Sequence, residues 1–134
     1  MKSLKPAIIA YLTVLLAFAI LDGLWLGVIA NSWYMTAFEP LLRKTFITLP
    51  WITFYLLYGA AVVFLSISPS VTVSGALTRG AALGATAYGT YNLTAYSIIG
   101  EWPWHMTWID WLWGTIATAL LAASGFVTSN AKRE

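Results

Sequence analysis

Residues 7–31 form one long apolar run, broken by a single charge at Asp22. A run of that length matches the ~20 helical residues that cross a hydrocarbon core of ~30 Å. In lipid the backbone must satisfy its own hydrogen bonds, so such a run folds as a spanning helix or not at all. Lys2 and Lys5 precede it as the basic start of a signal peptide would. The run is too long for one, however, and offers no small-residue cleavage site, so it reads as the first helix.

Composition agrees. Apolar residues make up 60% of the 134-residue chain and charged residues 9%, which leaves too little polar surface for a soluble domain. With no cysteine, disulfides and thiolate metal sites are excluded. The pI of about 9.0 rests on dispersed basic residues, so it reads as membrane-orienting charge and not as a nucleic-acid surface.

Further apolar runs cover 46–67, 76–99 and 106–128. Pro50 suits a first helical turn, Ser68-Pro69-Ser70 ends the second run, and the Gly100–His105 link with Pro103 makes the last two runs antiparallel neighbours. The expectation is one all-α domain over residues 1–134, an integral membrane four-helix bundle. Lys2, Lys5, Arg79, Lys132 and Arg133 fall on one side, and Arg43 and Lys44 on the other. The positive-inside rule then predicts N-in/C-in topology in a cell inner membrane, with membrane lipid as the first partner. On the third run Gly80 and Gly84, with Ala81, Ala85 and Gly89, form small-residue rows that let helices approach closely. The seam reads as packing within the bundle, with a homodimer through the Gly80/Gly84 face as the alternative.

Orientation exposes an asymmetry. Trp25, Trp33, Trp51, Trp102, Trp104, Trp108, Trp111 and Trp113 all fall in the outer half. An aromatic belt accounts for those at the headgroup level, but Trp25 and Trp113 should sit deeper. Asp22, on the order of 10–14 Å inside its helix end at 1.5 Å per residue, shares that half with Asn92 and Asp110. Tyr55, Tyr58, Tyr88 and Tyr91 lie at comparable depth. A carboxylate in lipid costs roughly 2.5–3.5 kcal/mol, so both acids should face the interior or a wet cavity. Asp22-Gly23-Leu24-Trp25 and Asp110-Trp111-Leu112-Trp113 both read Asp-x-Leu-Trp. On antiparallel neighbours this spacing predicts Asp22 level with Trp113, and Trp25 level with Asp110, each indole donating to a carboxylate.

His105, the single histidine, sits among interfacial tryptophans and is a secondary proton-linked candidate. No metal site and no cofactor is expected, since the acids lie on different helices. The glycines of the third run follow packing spacing and not that of a phosphate loop. Three functions remain open. The first is binding or transport of a small amphipathic or cationic molecule, using Asp22, Trp25, Tyr55, Tyr58, Tyr88, Tyr91, Asn92, Asp110 and Trp113. The second is an enzyme for a lipid or other apolar substrate, with the two acids dividing acid and base roles. The third is a structural or accessory membrane subunit, its polar residues only fixing the bundle.

The pattern Leu21-Asp22-x-x-Trp25-Leu26-Gly27, Tyr88-x-x-Tyr91-Asn92-Leu93-Thr94, Trp102-Pro103 and Asp110-x-x-Trp113-Gly114 resembles the bacterial membrane proteins of the DUF2177 family (domain of unknown function 2177). The resemblance spans essentially the whole chain. It implies a small polytopic membrane protein and brings no activity with it. In that family the position of Asn92 is often Asp. A proton or cation role there would therefore not carry over, while a hydrogen-bonding role would.

Overall fold

The structure, a computed structural model, describes residues 4–133 and the side chains of 4–130. Lys2 lies outside the described residues, as do the side chains of Lys132 and Arg133. Every regular element among them is helical. Helix α1 (Lys5–Leu24) continues into a π-helical turn, Trp25–Ile29, and a short helix α2 (Asn31–Ala37) follows after Ala30. Helix α3 (Thr48–Val62) also ends in a π-helical turn, Val63–Ile67. Helices α4 (Val73–Ile98) and α5 (Trp104–Arg133) complete the chain.

Lys5–Ile29, Thr48–Ile67 and Trp104–Asn130 are long and apolar enough to cross a membrane. Helix α4 is long enough at 26 residues. Its one charge is Arg79, yet it falls short in hydropathy because threonine, glycine, tyrosine and asparagine fill it. The hydroxyls of Thr78, Thr86, Thr90, Thr94 and Ser97 each donate to the carbonyl four residues back. The helix thus satisfies its own polar surface.

Packing follows side-chain size. Helix α5 is central, with α4 packed most extensively along it and α1 next. A Cβ on Gly80 would lie 2.7 Å from Ala122 Cβ, and one on Gly84 would meet Gly114 O and Thr118. The Gly80/Gly84 row is therefore covered by α5 of the same chain. The Trp111 indole donates to Ala85 O at 2.9 Å across this seam. In α1 the buried residues are Ala10, Val14, Phe18 and Asp22, one stripe with a period of four. Ile8, Leu12, Leu16, Ile20 and Leu24 on other faces are exposed, as suits a helix solvated by lipid.

Helix α3 is the outlier. It meets α4 chiefly through its terminal π-helical turn, while its body leans on α1. Tyr11 donates to Leu56 O at 3.0 Å, and Gly59 sits tightly against Leu15. From there α3 diverges from α4 toward the end of the bundle where α3 and α5 begin, called here the tryptophan end.

Candidate functional site

The α1 stripe that buries Ala10, Val14 and Phe18 carries Asp22 inward with it. Asp22 is 9% exposed. One oxygen accepts the Tyr55 hydroxyl at 2.5 Å, and the other accepts the Trp113 indole N–H at 3.2 Å. On α5, Asp110 precedes by one turn the Gly114 that packs on α4, and so it turns inward too. It accepts the Tyr34 hydroxyl at 2.7 Å on Oδ1, and the Asn92 amide at 2.8 Å together with the Tyr91 hydroxyl on Oδ2. All these donors are neutral. They orient both carboxyl groups and bring no positive charge to either.

The expected Asp22–Trp113 contact is present. Trp25 requires a correction: its indole N–H donates to the Tyr34 hydroxyl at 2.9 Å, and Tyr34 in turn donates to Asp110. The π-helical turn and the break at Ala30 fold α2 back over the helix end, which inserts Tyr34 between the two. Trp25 also stacks on Trp113, with ring centroids 4.6 Å apart and planes 8° apart. The two acids are thus joined through two stacked indoles and the Tyr34 phenol. Burial first, then the Asp110 charge, pushes the Tyr34 phenol well above its ordinary range, so Tyr34 is a neutral donor at any physiological pH.

These groups border a cavity of about 520 Å³ in the wedge between α3 and α4. Asp22, Tyr55, Tyr58, Tyr88, Tyr91, Asp110 and Trp113 all line it, joined by Leu26, Tyr34, Trp51, Phe54 and Ala87. Its floor is set by Tyr58, whose hydroxyl shares a hydrogen bond of 2.7 Å with Thr118 Oγ1. Tyr88 occupies the space a side chain on Gly114 would fill, so this glycine is what lets that ring lie against α5.

The model of the family described as "Predicted membrane protein (DUF2177)" matches residues 7–127. The chain belongs to this family. No curated protein and no solved structure matches it.

In this DUF2177 chain the remaining expected residues stand apart from the cavity lining. Trp25 lies behind Trp113. Asn92 is fully buried behind Asp110, donating also to Tyr88 O at 3.0 Å. Its Oδ1 has no partner. The opposite amide orientation would press that oxygen against the carboxylate, so the contact with Asp110 decides the rotamer. His105 is in the first turn of α5, not in the link. It borders a separate depression with Trp33, Thr36 and Met106. Among the described residues no three His, Asp or Glu side chains gather as metal ligands would.

Tyr34 is the member of the hydrogen-bond network that sequence reading missed. Asn31-Ser32 ahead of an apolar stretch is a helix-start signal, and Trp33, Tyr34, Ala37 and Phe38 follow at helical spacing. Trp51 and Phe54 were also missed as lining residues. They lie one turn and one residue before Tyr55, on the same rim of α3.

Proposed function

We propose that this protein crosses the membrane four times and binds a small amphipathic or cationic molecule in the cavity at its tryptophan end. Two carboxylates from different helices face one aromatic-lined cavity with only neutral donors around them, and this observation carries the reading. A carboxylate at membrane depth costs roughly 2.5–3.5 kcal/mol. An incoming cation offsets that cost, and the rings of Trp51, Phe54 and Tyr88 line the same space, where aromatic groups attract cations. Four crossings are supported by α4 itself: packed along α5 over a short link, it shares that helix's depth, and its self-bonded hydroxyls suit lipid contact. N-in/C-in then follows from the basic residues.

Tryptophan fluorescence of the purified protein in nonionic detergent, titrated with benzyltrimethylammonium, tests the binding reading. Saturable quenching is expected, with affinity falling about tenfold or more in Asp22→Asn and in Asp110→Asn, a loss of ~1.4 kcal/mol or more. Unchanged affinity in both folded variants would reduce the acids to structural ties.

A further inference from the structure

A second cavity, about 530 Å³, lies between α1 and α3 on the outer surface of the bundle. Asp22, Leu26, Trp51 and Tyr55 line both it and the central cavity. They form a thin partition between the two, closed by the Tyr55–Asp22 hydrogen bond. The rest of the outer groove is apolar: Leu15, Ala19 and Gly23 of α1, and Gly27 of the π-helical turn that follows it. A Cβ on Gly23 or Gly27 would meet nothing within 4 Å. These glycines therefore do not serve close helix packing; they leave a trough. The trough starts where the Leu15–Gly59 contact ends.

Charge and shape divide along this partition. From Asp22 to Leu15 the groove runs about 10 Å along α1 at 1.5 Å per residue, toward the middle of the helix. A lipid chain runs the same way, from headgroup to midplane. We propose that the ligand is a single-chain cationic amphiphile drawn sideways from the bilayer, its head at Asp22 and its alkyl chain in the α1–α3 groove. This rests on the cation-binding reading above and specifies its substrate class. The partition residues then act on both halves: Asp22 meets the charge, while Leu26 and the Trp51 ring meet the first methylenes.

Alkyltrimethylammonium probes of increasing chain length, compared with benzyltrimethylammonium in one nonionic detergent, separate the two claims. Micelle partition is common to all protein variants, so the ratio of variant to native Kd isolates the groove. In the native protein each methylene that enters the groove should tighten binding, up to about fourfold. Gly23→Leu fills the trough and should remove that gain, so the Kd ratio rises with chain length. Ala19→Leu, at an exposed helix position, should do the same and serves where Gly23→Leu fails to fold. A flat ratio with intact binding of the short cation overturns the groove and leaves the cation site standing. Equal binding of an uncharged alkyl probe, insensitive to Asp22→Asn, also overturns it and makes the trough an ordinary lipid-facing surface. If no cation of any length binds, both claims fall.

Discussion

Replacing Tyr34 with phenylalanine removes the acceptor of the Trp25 indole and a donor to Asp110 in one step. Leaving such groups unpaired away from water costs about 1–3 kcal/mol each. Tyr34→Phe should therefore lower thermal stability in detergent clearly. Tyr11→Phe, which loses one hydrogen bond to the Leu56 carbonyl at an exposed site, should change it much less. Differential scanning fluorimetry of both variants checks this, and equal small shifts would remove Tyr34 from the network. Asp22, Asp110 and Trp113 were legible at this scale because a charge in lipid has to turn inward and find donors. The Asp-x-Leu-Trp spacing supplied the partner. Tyr34 was not legible, because a phenol near a helix end is compatible with any interfacial position. Only the backbone break at Ala30 turns it inward.

Between helices, the α4–α5 seam and the α1–α3 groove use glycine in opposite ways. Gly84→Leu would drive a side chain into Gly114 O and Thr118, overpacking worth about 1–3 kcal/mol or more. Gly23→Ala enters open space and should be neutral or, through helix propensity, stabilising by up to ~1 kcal/mol. Thermal unfolding of the pair measures the contrast, and a harmless Gly84→Leu would contradict the seam. Hydropathy made the helices on residues 7–31, 46–67 and 106–128 plain, and small-residue spacing marked the seam on α4. The two π-helical turns left no such mark. Each adds one residue to an otherwise regular apolar run, which hydrophobicity cannot register when every face is apolar. Helix α2, at seven residues, was hidden for another reason: it lies between the runs 7–31 and 46–67 and is too short to register as a span.

For the molecule as a whole, the absence of cysteine makes topology directly readable by single introduced thiols. Lys44→Cys, between α2 and α3, should react with a membrane-impermeant maleimide in intact cells. Val71→Cys, 89% exposed between α3 and α4, should react only after lysis. Reaction of both from the same side would rule out N-in/C-in with four crossings. The low hydropathy of α4 reaches beyond the finished fold. On the proposed four crossings, α4 emerges during synthesis before the helix that packs over Gly84, Tyr88 and Asn92, and its low hydropathy disfavours insertion alone. The brief link at 99–103 brings α5 up almost at once, so the two are suited to leave the insertion machinery together as a helical pair. The same glycine seam that holds the native bundle would then also govern how its second half enters the bilayer.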